Sequence, residues 1–211
     1  KSSGVFAKAH VLRDRMKLEK EDGETVYLEF FDSANPVQNR WQVTQQVAMD
    51  GGKYNNRYDV TILANGLPLV QIELKRRGLE MKEAFNQIQR YQKHSFWSGQ
   101  GLFHFVQLFV ISNGVNTKYY ANARKQSFKQ TFYWAAEDNK TIRELPAFTT
   151  AFLNPTHLGA MIGKYIVLNE TEKILMGLRP YQYYATEAIV ERVKHPPAEN
   201  ANGYIWHTTG S

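Results

Sequence analysis

Strand-like patterns dominate the first part of the chain. Residues 40–49 alternate between apolar and polar positions, as a half-buried strand does. Residues 58–64 and 67–75 form two further strand-like runs, and they flank Asn65-Gly66, which is the strongest short-range signal for a hairpin turn. The pattern therefore predicts one strand followed by a β-hairpin.

An amphipathic helix is predicted directly after the hairpin, over residues 79–95. The apolar residues at helical spacing are Met81, Ala84, Phe85 and Ile88. Residues 102–112 are nearly continuously apolar over the length of a strand, and residues 117–122 resemble a short partner strand. This order predicts an α/β fold in which a mixed β-sheet is flanked by helices.

The hairpin carries three charged residues within its apolar runs. Because side chains alternate across a strand, Asp59, Glu73 and Lys75 share the face opposite the even-numbered apolar residues. Those apolar residues, which would form the core face, are Val60, Ile62, Ala64, Val70, Ile72 and Leu74.

The hairpin register depends on the length of its turn. A two-residue loop would pair Ala64 with Leu67 and turn the two apolar sets to opposite faces of the sheet. A three-residue loop of residues 64–66 pairs Leu63 with Leu67 and keeps one shared core face. We therefore predict the three-residue loop.

In this register the charged residues converge. Asp59 opposes Gln71 and lies diagonal to Glu73, at roughly 7 Å. Two neighbouring carboxylates repel unless a cation lies between them, and Mg²⁺ takes one or two carboxylates while keeping several waters. The Leu74 carbonyl is a candidate further ligand, and Lys75 would hold an attacking water or stabilise transition-state charge. The alternative interpretation is a solvated face with a surface ion pair.

The predicted helix adds polar residues to this region. Gln87 and Tyr91 are four residues apart, so they lie side by side on one helical face. Because the helix follows the strand that carries Lys75, its N-terminal half is expected over the same sheet edge. Basic residues nearby are by default a solvated face, but beside a metal site they could contact phosphates. These residues are Arg76, Arg77, Lys82, Arg90 and Lys93.

Weaker patterns follow in the C-terminal part. Residues 130–138 predict a short strand at the sheet edge, and residues 145–169 are predicted to be helical in parts, with a break near Pro155. A helix is predicted from Arg179, with Pro180 in its first turn. A loop and a short strand are predicted after it, over residues 195–203 and 204–208.

Composition narrows the functional classes. Of 211 residues, 43% are hydrophobic and 22% charged, as in ordinary globular proteins. The 26 Lys and Arg against 20 Asp and Glu give a net charge of +6, which is compatible with a polyanionic partner. The absence of cysteine excludes disulfides, thiolate zinc sites and a cysteine nucleophile, and fits a reducing cytoplasm. No apolar stretch reaches the ~20 residues of a membrane span, so we expect a cytoplasmic protein without membrane contact.

Histidines give no metal-binding pattern. Four of them are scattered without ligand spacing, and we expect solvated or core roles for them. They are His94, His104, His157 and His207.

The hairpin and helix together resemble a known nuclease superfamily. A hairpin that gives D…E-x-K, followed by a helix that gives Q-x-x-x-Y, is similar to the PD-(D/E)xK nucleases, especially the RecB-like and type I restriction branches. "NRWQVTQQV", "RYDVTILANGLPLVQIELK" and "AFNQIQRY" are closer still to the N-terminal region of the restriction and motor subunit of type I restriction-modification enzymes. This resemblance covers roughly residues 36–120.

The resemblance implies roles for the matching residues. Asp59 and Glu73 match the metal-binding acids, Lys75 the catalytic lysine, and Gln87 and Tyr91 the additional motif that supports DNA binding or nuclease activity. The sequence departs from the pattern at Tyr58, where the superfamily name has proline. The superfamily often adds an acid from an N-terminal helix. The candidates for it are Glu19, Glu21, Glu24 and Glu29, and the sequence does not choose among them.

Near the C-terminus a second resemblance concerns nucleotide binding. "RPYQYYA" is similar to the adenine-recognising Q motif of superfamily 2 helicases, with Gln182 as the matching residue. "YIWHTTGS" resembles the beginning of a P-loop and stops before its lysine, so tight ATP binding by this chain is not expected. Its matching residues are Thr209, Gly210 and Ser211. The implied division is an endonuclease domain in residues 1–170, with its core in about 36–125, and the start of a helicase or translocase domain in residues 171–211.

The resemblance implies a Mg²⁺-dependent endonuclease that cleaves double-stranded DNA, coupled in a larger protein to ATP-driven translocation. Modification and specificity subunits are the implied protein partners, and another subunit would recognise the DNA sequence. The alternatives are a RecB-like repair nuclease and a catalytically silent DNA-binding or assembly module.

Overall fold

Five strands form a central sheet that helices and small hairpins surround. The computed structural model of the chain describes residues 4–49, 56–93, 101–124, 126–197 and 202–206. The helices are α1 (Gly4–Arg13), α2 (Met81–Tyr91), α3 (Leu145–Phe152), α4 (Pro155–Ala160) and α5 (Pro180–Lys194). The strands are β1 (Met16–Glu19), β2 (Thr25–Leu28), β3 (Trp41–Met49), β4 (Asn56–Ala64), β5 (Leu67–Leu74), β6 (Leu108–Ser112), β7 (Thr117–Ala121), β8 (Trp134–Ala135), β9 (Thr141–Ile142), β10 (Ile166–Asn169) and β11 (Ile174–Gly177).

The central sheet has the strand order β3-β4-β5-β6-β7. Strands β5 and β6 run parallel, and the other neighbouring pairs are antiparallel. A parallel pair needs a crossover, and α2 is part of the connection between β5 and β6. The predicted mixed sheet, with its helix between the third and fourth strands, is confirmed. No helix in the described ranges is long and apolar enough to cross a bilayer.

The predicted three-residue turn of the hairpin is wrong. Ala64 pairs with Leu67 across a two-residue turn in which both residues are left-handed, with φ of 52° at Asn65 and 81° at Gly66. This primed turn matches the right-handed twist of the strands, which explains why Asn-Gly is preferred there. The register then shifts, so one shared core face is still formed.

A β-bulge produces that shift of register. Leu63 pairs with Pro68, whereas Ile62 pairs with Val70, so Leu69 is the extra residue on β5. Proline lacks an N–H group and is tolerated next to a bulge because it forfeits no ladder hydrogen bond. Pro68 was the sequence signal for this irregularity, which the parity argument did not use.

Both faces of the sheet are covered by a hydrophobic core. On one face, which we call the first face, even-numbered residues of the hairpin pack with α1, α3 and α4. On the other, the second face, α2 packs against residues such as Phe109 and Ile111 of β6. After the bulge the first-face residues of β5 are Val70 and Ile72, and Glu73 and Lys75 have the opposite parity, so they belong to the second face, as predicted.

Two predicted strands differ from the structure. Within residues 102–112 the strand begins only at Leu108, and Leu102–Phe105 form a short 3-10 helix. A Cβ atom added to Gly4 of α1 would lie 2.5 Å from the His104 ring, so this segment packs on α1 and its apolar character does not reflect a strand. Residues 204–206 have no regular structure, contrary to the prediction of a strand, and residues 207 and 208 lie outside the described part.

The segment predicted as an edge strand, residues 130–138, is only partly one. Phe132 forms an isolated bridge with Tyr119 of the edge strand β7. The strand that follows, β8, pairs with β9 in a separate hairpin. The predicted helical break near Pro155 and the helix that starts with Pro180 are both present.

The predicted domain boundary near residue 170 lies between two paired strands. β10 and β11 pair antiparallel on either side of it. The Tyr119 hydroxyl donates to the Leu178 carbonyl at 2.6 Å, and the Trp134 ring contacts the rings of Tyr183 and Tyr184. Residues on both sides of position 170 therefore pack in one core, and a separate domain from residue 171 stays a prediction.

His157 is buried among aromatic rings, in agreement with its expected core role. Its ring contacts Trp134, Phe152 and Tyr183, and Nε2 has no hydrogen-bond partner among the described residues. Burial lowers the pKa of His157 to about 4, because the charged imidazolium is poorly solvated there.

Acid should therefore destabilise the protein through His157. An unfolded chain binds a proton near pH 6.5, and the folded chain does so only near pH 4, so stability falls as the pH drops between these values. We expect a loss of about 2 kcal/mol between pH 7 and pH 5 from this residue. Urea unfolding of the wild type and His157→Phe at both pH values measures it. An equal pH dependence in the two proteins would contradict the assignment.

Candidate active site

The sheet is distorted where Asp59 lies. Val60 packs in the first-face core, whereas Tyr58 packs with α2 on the second face, although residues two apart on a strand normally share a face. On the neighbouring strand β3, Gln46 has a left-handed φ of 56°. On either side of it, Gln45 pairs with Val60 and Val47 pairs with Tyr58. Such irregularities re-aim side chains beside active sites. Here the distortion releases Asp59 from the regular ladder.

Asp59 lies opposite Glu73, not opposite Gln71 as predicted. Val60 pairs with Ile72, and continuing this register by one residue brings Asp59 across from Glu73. Gln71 instead pairs with Thr61, whose hydroxyl donates to its side-chain oxygen at 2.7 Å. The shorter turn and the β-bulge each move the pairing by one residue, so together they advance β5 by two residues relative to the predicted register.

The Asp59 carboxylate is held by the backbone of the neighbouring strand. The Leu74 amide N–H donates to Asp59 Oδ2 at 2.8 Å. The bond fixes the Asp59 side chain next to Glu73, and no pattern in the sequence indicates it. Asp59 is therefore positioned before any cation arrives.

Glu73 is completely buried, which is unusual for a carboxylate. Its Oε1 accepts from Lys75 Nζ at 2.8 Å, while Oε2 has no hydrogen-bond partner among the described residues. The alternative interpretation of the hairpin charges as a solvated face is therefore wrong, because Glu73 is fully shielded and Lys75 only 17% exposed.

Burial raises the pKa of Glu73 to about 7. The bond from Lys75 opposes this shift, and the negative charge of Asp59 adds to it. A buried carboxylate that lacks one partner and faces a second carboxylate is unfavourable in the ionised form. The pair therefore has an electrostatic need for a cation.

A divalent cation with oxygen ligands fits this need. The unpartnered Oε2 of Glu73 and the carboxylate of Asp59 offer two hard oxygen donors, which matches the small number of protein ligands that Mg²⁺ takes. Within the described residues no group of three or more acidic, histidine or cysteine side chains is present that could form a richer metal site.

The four candidate N-terminal acids do not lie on a helix. Helix α1 carries no acidic residue, and the glutamates lie on or beside the β1–β2 hairpin. Three of them form ion pairs with basic side chains there. The pairs are Glu19 with Lys17, Glu24 with Lys20, and Glu29 with Arg15. The structure thus gives no support for a helical third acid.

A chain of hydrogen bonds joins Lys75 to helix α2. Lys75 Nζ donates to the side-chain oxygen of Gln87, the amide of Gln87 donates to the Tyr91 hydroxyl, and that hydroxyl donates to the Arg57 carbonyl at 3.2 Å. The chain fixes the orientation of Gln87, so its oxygen faces the ammonium. An ammonium has three donors, and two point to Glu73 and Gln87, so one is left for a ligand.

Tyr58 is a supporting residue that the sequence did not reveal. Its fully buried ring packs edge-on against Tyr91 at 5.0 Å and against Phe103 at 4.8 Å. The residue that replaces the family proline thus forms the wall behind Tyr91. An aromatic residue directly before the aspartate, together with Q-x-x-x-Y, was the available signal.

The predicted nucleotide-binding residues lie far along the chain. Gln182 is exposed in the first turn of α5, where its side-chain oxygen accepts from the Arg179 N–H at 2.9 Å. Thr209, Gly210 and Ser211 lie outside the described residues. The nucleotide-binding role of all four stays a prediction.

The fold and the site define a class of protein. A mixed sheet whose central hairpin presents Asp59, Glu73 and Lys75 beneath a helix carrying Gln87 and Tyr91 has the architecture of a PD-(D/E)xK nuclease core.

The sequence family is more specific than this class. Residues 4–128 match the family model of the type I restriction enzyme R protein N terminus, and the chain belongs to that family. It is 50% identical to a type I restriction enzyme endonuclease subunit of Staphylococcus saprophyticus over 210 residues, which is 99% of the chain. It is 44% identical to the EcoprrI endonuclease subunit of Escherichia coli over 198 residues, or 92% of the chain.

The relatives are longer than this chain. The alignment covers 22% of the S. saprophyticus protein and 63% of the E. coli sequence. A more distant relative, the HindI endonuclease subunit of Haemophilus influenzae, is 27% identical over 222 residues, and 20% of it is covered.

Proposed function

We propose that this chain hydrolyses phosphodiester bonds of double-stranded DNA with the help of Mg²⁺ held by Asp59 and Glu73. The observation that carries the proposal is the fully buried Glu73, which lies beside a second carboxylate and whose second oxygen accepts no hydrogen bond from any residue in the described part of the chain. Lys75 supplies one positive charge against the two acids, so the site keeps a net negative charge when both are ionised, and a divalent cation would neutralise it.

Each residue of the site has a role in this reaction. Asp59 and Glu73 bind the metal, which when bound stabilises phosphoryl charge and eases deprotonation of a water. Lys75 directs its remaining N–H toward the phosphate or the attacking water. The water oxygen forms a new bond to phosphorus, one P–O ester bond breaks, and the departing oxygen takes up a proton.

Gln87 and Tyr91 act through Lys75. Gln87 holds the ammonium in place by its side-chain oxygen, and Tyr91 fixes the amide of Gln87. Rigid positioning of this kind matters because small displacements of a catalytic group cost large factors in rate.

The family supports a larger functional unit. The matched relatives are named as endonuclease subunits of type I restriction enzymes. We assign this chain the same role, with modification and specificity subunits as partners, ATP-driven translocation elsewhere in the longer protein and a cytoplasmic location. The family match leaves the RecB-like alternative without support. The catalytically silent alternative predicts no metal binding.

Metal titration of this chain tests the proposal. With a dissociation constant of about 1 mM, 10 mM Mg²⁺ would stabilise the wild type by about 1.4 kcal/mol and raise its melting temperature by about 2 to 4 °C. Asp59→Asn keeps an acceptor for the Leu74 N–H but loses the charge, and it should show no such shift. Glu83→Gln, an exposed change on α2, is the matched control and should respond like the wild type. Equal shifts in all three proteins would refute the metal site.

A further inference from the structure

Two basic residues contact one tyrosine ring away from the active site. Lys118 Nζ lies 4.7 Å from the centre of the Tyr133 ring and 4.8 Å from that of Phe128, and it is 3.3 Å from the Thr131 hydroxyl. The Arg143 guanidinium lies 4.9 Å from the centre of the same Tyr133 ring. Among the described residues neither cation has a carboxylate within ion-pair distance, although other basic residues do.

This arrangement places like charges together. Burial lowers the pKa of Lys118, and the positive charge of Arg143 lowers it further. The aromatic rings offset part of this cost, because a cation over a ring face is attracted to it. An anion between the two cations would remove the remaining repulsion, in the same way that a cation relieves the Asp59 and Glu73 pair.

A cavity of about 490 Å³ opens beside Lys118. Its lining includes the loop before α2, the turn between β6 and β7, and the rings of Phe128 and Tyr133. Glu80 also lines it and is exposed, and it makes no ion pair with Lys118 among the described residues. This volume exceeds that of a phosphate group.

The cavity lies on the face of the sheet that carries the active site. Lys118 pairs with Ile111, and Ile111 pairs with Glu73 on the next strand. The alternation along β7 puts Tyr119 in the first-face core and Tyr120 in the second-face core, so Lys118 points to the second face. Two strand spacings separate Lys118 from Glu73, which is about 10 Å, or about three base-pair steps of duplex DNA.

We propose that Lys118 and Arg143 bind a backbone phosphate of the duplex DNA whose cleavage takes place at Asp59 and Glu73. The proposal rests on the proposed nuclease function and names the second point at which the chain holds its substrate. A phosphodiester of duplex DNA fits better than a free nucleotide, because the two rings that line the cavity are engaged by cations and the distance to Glu73 suits a polymer that reaches both places. Contacts of this kind position DNA without reading its sequence.

Duplex binding at several salt concentrations tests this proposal. The variants are Arg143→Gln, Lys118→Gln and the double change, with a fluorescent 20-base-pair duplex in EDTA so that no cleavage occurs. Because the two cations share one phosphate, the double variant should reduce the slope of log K against log salt by about 0.9 and bind about tenfold more weakly at moderate salt, and each single variant should lose part of this. Arg143→Lys keeps the positive charge, so its slope should stay close to that of the wild type.

Lys164→Gln is the matched control. Lys164 is exposed on the segment Met161–Tyr165, whose buried residues pack in the first-face core, so the same charge is lost on the opposite side of the sheet. This variant should bind like the wild type. Thermal melting identifies any variant that fails to fold. Arg143→Gln changes an exposed side chain, so its DNA affinity can be measured without an effect on core packing.

The outcomes separate this proposal from the proposed nuclease function. Unchanged affinity and slope in folded Arg143→Gln and Lys118→Gln would overturn the phosphate site, while the Mg²⁺-dependent stabilisation of the same proteins would still support the nuclease function. The phosphate site would also be overturned if the variants bound inorganic phosphate or ATP more weakly than the wild type while their duplex binding stayed unchanged. The site would then serve a free anion. If the wild type itself does not bind Mg²⁺, the nuclease function is refuted instead.

Discussion

Replacing Asp59 or Glu73 by alanine is expected to lower the rate of DNA cleavage by about a thousandfold or more, in an endonuclease subunit of the relatives' full length that carries this chain. Each change removes one of two carboxylates that would hold the metal, and with it the main source of charge stabilisation for the transition state. The measurement is the linearisation of supercoiled DNA in the presence of Mg²⁺ and ATP, with ATP hydrolysis followed in the same reactions.

The ATP readout makes this result specific. If the two acids serve only the nuclease site, ATP hydrolysis by the variants should stay near the wild-type rate while cleavage is lost. Glu83→Ala removes a carboxylate from the exposed face of α2 and should leave both activities intact. Cleavage by Asp59→Ala at the wild-type rate would show that the metal site has been assigned to the wrong residues.

Glu73→Gln is expected to stabilise the metal-free protein while abolishing its metal binding. The folded state raises the pKa of Glu73 to about 7, above its ordinary value of 4.5, so folding opposes ionisation. The wild type is therefore relatively most stable below pH 4.5, and it loses stability as the pH rises through 7. At pH 9 the raised pKa lowers the free energy of unfolding of the wild type by about 3 kcal/mol. Glutamine at position 73 is neutral and still accepts from Lys75, so it avoids this loss.

Urea unfolding in EDTA at pH 5 and pH 9 measures this effect. The advantage of Glu73→Gln over the wild type should be about 3 kcal/mol at pH 9 and should shrink as the pH falls toward 4.5. Saturating Mg²⁺ should stabilise the wild type alone and narrow the gap at pH 9. Equal stabilities at pH 9 would mean that Glu73 is not a strained buried acid.

Much of the site could be predicted from the sequence because its spacing is local. Asp59, Glu73 and Lys75 stand at alternating positions of two strand patterns, and Gln87 and Tyr91 stand one helical turn apart. These periodicities depend only on backbone geometry within each element, whereas Asp59 and Glu73 share a face only when the hairpin register has the right parity. The predicted association of the five residues agrees with the hydrogen bonds from Lys75 through Gln87 to Tyr91.

The pairing of the hairpin strands was harder to predict. Alternation along the two strands requires one core face, and a longer turn is one way to reach it. The structure keeps the favoured Asn65-Gly66 turn and shifts the register with a bulge beside Pro68 instead. A turn and a bulge can satisfy the same hydrophobic pattern, and only the packing of the whole sheet distinguishes them.

The sequence by itself determined the order of the central strands and of α2 along the chain, and it singled out Asp59, Glu73 and Lys75 as the candidate acids and lysine. Periodicity and short motifs are properties of neighbouring residues, so they can be read without the fold. Only the tertiary structure decided that Glu73 is fully buried with one oxygen unpartnered, that Tyr58 supports Tyr91, and that Lys118 and Arg143 meet at Tyr133. Desolvation and charge proximity depend on segments that are distant in sequence, so they arise only when those segments pack together.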